Sequence, residues 1–515
     1  MRWYHTTEKL SGTDREVGLR FMTYDGLCSH AMLLLVTGAF LPGMAVALGA
    51  SNFIIGLLGS LAPMSQMVQF PAIWIVEKVG LRKLVTVVFA MLSRVMLVMA
   101  ALVPFVNVGN QAGLFFGLML LFFVFGAIAG CSWNSWIKDI VPGETLGAYF
   151  SQRLARATLL GVVLSVIAAF GIDWLTVAIG NPERSYGIIF LVAAVIGILG
   201  ARSLMEVPEP QMTRTASNNW LELLIEPLKD KNFRRLLAFS ASWSFTVIMS
   251  AVFMAVYMLE RIGLSMATVV MLGVLSQVTN VFFFKIWGSI ADRFSNKSVL
   301  KVSVPMFILV ILMYPFTTLP EKYFLSLPLL ILIHLLGGIS SAGFNLCAVN
   351  IAIKLAPEGN ATSYLATNAF CSGIAAAIAP VIGGIIGSFF AVREISVKFF
   401  YNPDISIGSE ELSIPALSFR GLDFVFFSAA LFGLYAIRRL SLVEEAGTIS
   451  EREVRDHVYQ SMRTTLSNAY GISSGMRRIP AFPLELLRKT KGAAAFYHSK
   501  RSQSNRTDRP DSCEP

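Results

Sequence analysis

Two short motifs in this chain each occur twice, and the two copies of each motif are separated by the same distance. Residues 288–297 read GSIADRFSNK and residues 73–83 read IWIVEKVGLRK, so the acidic positions lie 292 − 77 = 215 residues apart. Residues 356–364 and 141–149 form the second pair, whose prolines are also 357 − 142 = 215 residues apart. Two matches at one offset predict a chain built from two copies of one structural unit.

Long apolar runs divide the chain. Hydrophobic residues make up 55% of its 515 residues and charged residues only 14%, whereas soluble domains carry about 25% charged residues. A run of about 20 apolar residues crosses a bilayer as a helix. We therefore predict an all-α membrane protein with twelve transmembrane helices in two pseudo-symmetric six-helix bundles. The predicted spans are 26–49, 53–76, 84–106, 112–135, 157–178, 186–205, 236–259, 267–287, 299–318, 326–348, 365–390 and 422–438.

The positions of Lys and Arg predict the orientation of these spans. Basic residues concentrate in alternate loops, and such loops face the cytoplasm. The basic set consists of Lys78, Arg82, Lys83, Lys138, Arg153, Arg156, Arg293, Lys297 and Lys301. We predict a multi-pass protein of the cytoplasmic (inner) membrane with both termini in the cytoplasm and no cleavable signal peptide. The net charge of +10 predicts contact with anionic membrane lipids, and no motif indicates nucleic-acid binding.

The spans and the polar segments between them predict five regions. Residues 1–25 form a cytoplasmic N-terminal segment, and 26–206 and 235–440 form the two six-helix bundles. Residues 207–234 form a cytoplasmic linker, and 441–515 form a cytoplasmic tail that is partly disordered. Two short helices are predicted in the polar regions, an amphipathic one at 219–226 and a capped one at 450–463. The long outer loop 391–421 is expected to cover an outer vestibule.

The loop motif after span 8, its twin after span 2, the twelve spans and the mid-chain linker together resemble the major facilitator superfamily over about 26–440. The first copy of the motif departs from the family pattern at Ile73, Glu77 and Lys78, and the second departs at Ser295, but the sign of each key charge is kept. The block 133–153 is similar to a bacterial subgroup of unknown substrate. The resemblance implies a monomeric transporter that moves a small organic solute by alternating access, with two halves rocking about a midplane site.

The resemblance also implies a role for the loop motifs, which hold one closed state through charge pairs between the halves. Exposed pairs are worth about 0–1 kcal/mol and can form reversibly. The alternative is that these charges only set the topology. The predicted gating residues are Glu77, Lys78, Gly80, Arg82, Lys83, Gly288, Asp292, Arg293 and Lys297.

Polar residues within the spans are the candidates for substrate binding. The resemblance implies that spans 1, 4, 7 and 10 line the cavity and that spans 2, 5, 8 and 11 lie where the halves meet. Intramembrane polar groups are costly unless they face a cavity or a partner; the alternative is hydrogen bonding between neighbouring helices. The predicted substrate-binding residues are Gln66, Gln69, Arg94, Asn134, Trp243, Gln277, Asn280, His334, Asn345 and Asn368.

Arg94 is a charged residue near the centre of span 3. An unpaired arginine at the bilayer centre costs at least about 2.5–3.5 kcal/mol, so a compensating group is expected. Arg94 could bind an anionic group of the substrate. Alternatively, the carbonyl oxygens of a helix end or a polar pocket behind the site could satisfy it.

Several classes of function are disfavoured by what the spans and loops contain. No Asp or Glu lies in the middle of a predicted span, which disfavours proton coupling, although His334 or an acid at the edge of a span could supply it. Asp25 lies only at the entry of span 1. We find no Gly-rich phosphate loop, no catalytic or metal-ligand spacing and no disulfide framework among five scattered cysteines, so neither an enzyme nor a cofactor is predicted. Residues 379–387 of span 11, with three glycines and one proline, predict close helix packing with a kink at Pro380. A lipid or amphiphile flippase and a non-transporting scaffold or sensor remain as alternative functions.

Overall fold

The computed structural model describes residues 6–7, 11–141, 146–211, 227–318, 323–356, 361–401 and 412–445. We call the side on which α1 begins the inner side, in keeping with the predicted orientation, and the opposite side the outer side. The helices of the first half are α1 (Gly12–Val36), α2 (Phe40–Ala47), α3 (Asn52–Met67), α4 (Gln69–Val79), α5 (Arg82–Leu102), α6 (Gln111–Ile140), α7 (Leu146–Ile179) and α8 (Pro182–Ser203). Those of the second half are α9 (Lys231–Val256), α10 (Met266–Arg293), α11 (Asn296–Met313), α12 (Ser326–Leu355), α13 (Ala361–Phe390) and α14 (Asp423–Ser441).

Twelve passages result from these helices. Within the described ranges, ten helices are long and apolar enough to cross a membrane, and α1 with α2 forms an eleventh passage that bends by 42°. Gly38 has a φ of 59° at that bend, a conformation that glycine adopts without steric cost. The other passage is divided between α3 and α4, which are interrupted at Val68. Pro63 lies within α3 and lacks the N–H that would continue the helical hydrogen bonds.

The two halves pack their helices in the same pattern. In the first half α1 contacts α7 and α8, and α5 contacts α6 and α8; in the second half α9 contacts α13 and α14, and α11 contacts α12 and α14. Each contact in one half thus has a counterpart between the equivalent helices of the other half. This agreement confirms the two pseudo-symmetric bundles that the 215-residue offset predicted.

Two helices begin well before their predicted spans. Helix α1 begins at Gly12 rather than at 26, and α7 begins at Leu146 rather than at 157. The Ser11 hydroxyl accepts the Asp14 N–H at 3.1 Å, and the Asp14 carboxylate accepts the Ser11 N–H at 3.3 Å. This capping box starts α1 among polar residues, which hydropathy does not assign to a helix.

Part of the predicted outer loop is a β-hairpin, which the sequence did not indicate. Strands β3 (Glu394–Tyr401) and β4 (Leu412–Arg420) pair antiparallel, with a register shift between Val397 and Lys398. A second, two-residue pairing joins β1 (Thr6–Thr7) to β2 (Glu209–Pro210) in parallel. The predicted helices at 219–226 and 450–463 lie outside the described residues.

Candidate functional site

A cavity of about 350 Å³ lies between the two halves. The first half lines it with the bend between α1 and α2 and with the outer part of α3, and the second half lines it with the outer parts of α9 and α10. Its volume lies within the range of small-molecule sites, about 300–1,000 Å³. Most of the lining side chains are apolar. Among the described lining residues, three carry polar groups: Thr37, Tyr314 and His334.

His334 is the predicted substrate-binding residue that the structure places in the wall of this cavity. It lies on α12, and its Nδ1 is 2.9 Å from the Leu330 carbonyl oxygen. Because a carbonyl can only accept, Nδ1 carries the proton, and Nε2 of the neutral ring is an acceptor. The Tyr314 ring lies edge-on to the imidazole at a centroid distance of 6.4 Å. The histidine thus has a defined orientation and tautomer.

Seven other predicted substrate-binding residues have described side chains, and these are not among the cavity-lining residues. Trp243 is buried in the second half, where its ring centroid is 5.5 Å from that of Phe307 and 5.1 Å from that of Phe344. Asn280 is buried and Asn368 is half-buried, whereas three more are exposed: Asn134, Gln277 and Asn345. The side chains of Gln66 and Gln69 lie outside the described part of the chain.

Arg94 is held inside the first half. Its Nη1 donates to the Ala90 carbonyl at 3.2 Å, and its Nη2 donates to the Ser29 hydroxyl at 2.9 Å. The Ser29 hydroxyl in turn donates to Asp25 Oδ1 at 3.1 Å. Arg94 is 7% exposed and Asp25 5%. This geometry matches the polar-pocket interpretation of Arg94, although the accepting carbonyl, Ala90, lies within α5 rather than at a helix end.

Asp25 differs from its predicted placement at the entry of span 1. Because α1 begins at Gly12, Asp25 lies within this helix, and α7 and α8 pack against the helix. A buried carboxylate is therefore present in a membrane helix of the first half. Hydropathy does not place this carboxylate in a span, because Asp25 precedes the apolar run.

The outer parts of α3 and α13 approach closely across the two halves. A Cβ atom at Gly56 would collide with the Pro380 carbonyl oxygen, and one at Gly384 would lie 2.6 Å from the Asn52 carbonyl oxygen. Small residues at such positions allow two membrane helices to pack backbone against backbone. The structure thus shows the close packing that was predicted for residues 379–387.

A second contact between the halves involves Asp173, which lies near the outer end of α7. Its Oδ1 accepts the Met266 N–H at 3.0 Å, and its Oδ2 accepts the Ala267 N–H at 2.9 Å. These are the first two residues of α10, in the other half. N–H groups at a helix N-terminus have no partner within the helix, and a carboxylate there also interacts favourably with the helix dipole. No role for Asp173 followed from the sequence, because only the tertiary structure brings α10 to it.

The described residues of the two loop motifs find their partners within their own halves. Arg82 Nη1 is 2.5 Å from Asp139 Oδ2, and Arg82 Nη2 donates to the Pro210 carbonyl at 3.0 Å. Lys297 Nζ donates to the Ser441 carbonyl at 3.0 Å and also to the Val443 carbonyl. Lys78 and Arg293 lie over Trp74 and Phe294, while Asp292 is exposed. The contacts described above between the halves, by Asp173 and by α3 with α13, lie on the outer side. The side chain of Glu77 lies outside the described part of the chain.

The Major Facilitator Superfamily profile matches residues 26–380 of the chain. The chain belongs to this superfamily. It is accordingly a multi-pass integral membrane protein and a transporter rather than an enzyme. No curated protein matches it by sequence.

Solved structures of other transporters share its fold. The nucleoside transporter NupG superposes with a TM-score of 0.61 at 14% identity, covering 84% of this chain and 99% of its own. A bacterial homolog of the human lysosomal transporter Spinster, inward-facing and occupied, has a TM-score of 0.58 at 15% identity, covering 84% and 97%. A D-xylose–proton symporter has a TM-score of 0.56 at 13% identity, covering 85% and 98%. Identities this low establish the fold alone.

Proposed function

We propose that this protein carries a small organic solute across the cytoplasmic membrane by alternating access, with the central cavity as the binding site. The main support is that both halves of the repeat line one cavity. A site between two similar halves can be exposed first to one side and then to the other when the halves rock. The basic loops support the proposed orientation, with both termini in the cytoplasm.

The lining of the cavity supports a mostly apolar solute that carries at least one hydrogen-bond donor. Nε2 of His334 is an acceptor beside apolar side chains such as Ile55, Leu58 and Val269. Nucleosides and xylose, named for two of the structural neighbours, carry many hydroxyl groups. Each buried hydroxyl without a partner costs about 1–3 kcal/mol, so a cavity whose described residues include three polar side chains favours other solutes. An amphiphile is the second candidate, and the same apolar lining favours it.

We further propose that the two sides of the protein close in alternation. In the present conformation Asp173 and the α3–α13 contact close the outer side. The loop motifs, with Asp292 and Arg293 in the second half, would then pair across the halves when the inner side closes. Substrate contact by the other predicted polar residues remains a prediction.

A thermal-stability screen tests the binding site. The purified protein in detergent is melted against a library of small organic solutes and of lysolipids. A solute that binds the folded state at a hundredfold excess over its Kd should stabilise it by about 2.7 kcal/mol. The His334→Phe variant should lose this stabilisation, and His30→Phe, a change outside the cavity lining, should keep it.

The outcomes separate the candidates. Hits among small solutes that depend on His334 support the proposed site. Hits confined to lysolipids would indicate that the transported ligand is an amphiphile rather than a small solute. Equal loss in His334→Phe and His30→Phe, or no hit from a well-folded sample, would contradict the proposal.

A further inference from the structure

A second cavity, of about 720 Å³, opens on the surface of the second half between α9, α13 and α14. It shares no lining residue with the central cavity. Apolar side chains dominate its wall, including Phe245, Ile382 and Phe432. Leu431 and Tyr435, on its α14 wall, are 67% and 44% exposed. We call this surface the lateral groove; in a membrane protein it faces lipid.

The α14 wall of the lateral groove continues into two arginines. Ser428, Leu431, Phe432 and Tyr435 line the groove at positions i, i+3, i+4 and i+7, which share one face of a helix. Positions i+10 and i+11 of the same face are Arg438 and Arg439, in the last turn of α14 at the inner side.

The α9 wall leads to the same end of the groove. Ala241 lines the groove, and Arg234 lies seven residues, or about two turns, before it on the same face. Helix α9 packs along α14. Basic residues of both helices therefore meet at the inner end of the lateral groove.

The charges at this end are arranged for an anion. Arg439 Nε donates to the Tyr435 hydroxyl at 2.6 Å, and its guanidinium lies 4.7 Å from the centre of the Tyr435 ring, so a groove-lining residue fixes its position. Arg438 and Arg234 are exposed. The nearby acid Glu444 is already paired with Arg235 at 2.5 Å. Among the described residues, a positive excess therefore remains at the inner end of the groove.

The length of the groove fits one lipid leaflet. Ser428 and Arg438 are ten residues apart, or about 15 Å along a helix that rises 1.5 Å per residue. This is about half of the 30 Å hydrocarbon core. An acyl chain that starts at the arginines would thus reach the far part of the groove.

We propose that the lateral groove binds an anionic phospholipid of the inner-side leaflet, with an acyl chain along α9 and α14 and the phosphate at Arg438, Arg439 and Arg234. Uncharged side chains hold the chain of any lipid equally well. The arginines select the anionic headgroup, because each basic residue near the surface adds attraction for net negative charge.

Native mass spectrometry of the full chain in detergent tests this proposal. The protein is titrated with phosphatidylglycerol and with phosphatidylcholine of the same acyl chains. Phosphatidylglycerol should remain bound at lower concentrations. The double variant Arg438→Gln/Arg439→Gln should weaken phosphatidylglycerol binding by about tenfold or more, since two charges are removed at about 1 kcal/mol each. Arg438→Lys/Arg439→Lys keeps the charges and should retain most of the binding.

Two further variants separate the site from general surface charge. Arg156→Gln/Arg202→Gln removes two exposed arginines from inner parts of the first half and should leave the affinity unchanged. Ser428→Phe fills the groove and should weaken binding with the arginines intact; its melting temperature reports that it is folded. Equal affinity for both lipids, equal loss in the first-half control, or full affinity in folded Ser428→Phe would each overturn the proposed site. None of these measurements depends on transport.

Discussion

Arg94 and Asp25 are opposite charges inside the first half, and the Ser29 hydroxyl joins them through hydrogen bonds to both. Removing one partner of a buried charge pair leaves the other charge uncompensated, which costs about 3–5 kcal/mol. The sequence singled out Arg94 because it is a charge at the centre of a span. The sequence could not identify Asp25 as the counterpart of Arg94, because the position of Asp25 inside a helix depends on the extension of α1 to Gly12.

We expect Arg94→Ala to lower the free energy of unfolding by about 3 kcal/mol and the further change Asp25→Asn to restore part of this loss. The physical reason is that Asp25 no longer carries an uncompensated charge. Thermal unfolding in detergent measures both effects, with the surface change Arg184→Ala as a control expected within about 0.5 kcal/mol. Additive losses in the double variant would contradict the coupling.

Glu209 is a buried acid of the linker, outside the membrane spans. Its Oε1 accepts the Lys83 N–H at 3.0 Å. Burial raises the pKa of Glu209 above its ordinary value of 4.5, and this effect outweighs the hydrogen bonds and the charges of Arg82 and Lys83. The folded protein therefore holds this proton more tightly than the unfolded chain. Stability should fall as the pH rises from 4.5 through the folded pKa.

Glu209→Gln removes this pH dependence and keeps an acceptor for the Lys83 N–H. We expect the variant to equal or exceed the wild type in melting temperature at pH 8, and the difference to shrink towards pH 4.5. Melting curves across this range measure it, and Glu206→Gln, at an exposed position, provides the comparison. A growing disadvantage of Glu209→Gln at high pH would mean that the ionised carboxylate stabilises the fold.

At the scale of elements, helix ends and helix faces join the two halves on the outer side. Asp173 of α7 caps the N-terminus of α10, and the glycines of α3 and α13 let these helices meet. The sequence predicted the close packing of span 11 from its small residues. It did not predict the β3–β4 hairpin, because each strand is short and the pairing joins residues on both sides of 402–411.

Asp173→Ala should increase access to the central cavity from the outer side. A carboxylate at a helix N-terminus is worth about 0.3–2 kcal/mol, so labelling of Thr37→Cys by an impermeant maleimide should become about 2- to 30-fold faster. The assay uses a background that lacks the native cysteines. Glu183→Ala, a change on the outer side of the first half alone, should leave the labelling rate unchanged. An unchanged labelling rate in Asp173→Ala would show that the contact between Asp173 and α10 does not help to close the outer side.

Gly56→Ala should also open the outer side, since the added Cβ collides with the Pro380 backbone. We expect faster labelling of Thr37→Cys and a lower melting temperature, because overpacking typically costs about 1–3 kcal/mol. Gly117→Ala is the matched control, because a Cβ there has no atom within 4 Å. If both alanine variants behave alike, the α3–α13 contact is not as tight as the structure shows.

At the scale of the whole molecule, the start of the C-terminal region is part of the second bundle. Glu445 accepts the N–H groups of Asn296 and Lys297, at 3.3 and 2.7 Å, and Glu444 pairs with Arg235. The predicted boundary between bundle and tail at 440/441 therefore passes through a set of contacts. The division into five regions otherwise remains a prediction.

Two truncations should behave differently for this reason. A chain that ends at Glu445 should keep its stability and its solute flux. A transporter should keep its function after this truncation, whereas a scaffold that works through its tail should lose it. A chain that ends at Leu440 should lose about 3 kcal/mol or more, since hydrogen bonds to charged groups contribute about 1.5–3 kcal/mol each. Thermal unfolding and uptake of the solute identified by the screen measure both. Loss of flux in the longer chain would favour a working role of the tail.

The sequence by itself determined the twelve passages, the two-fold repeat and the family. These features are local or periodic: a membrane helix satisfies its own backbone hydrogen bonds, so about 20 apolar residues identify it without knowledge of its neighbours. Only the tertiary structure decided which side chains meet. Asp173 and Met266 are 93 residues apart, and His334 reaches the central cavity while Trp243 enters a packed aromatic cluster. A polar residue in a span indicates that a partner is needed, but the face that each helix presents to the others determines which partner it finds.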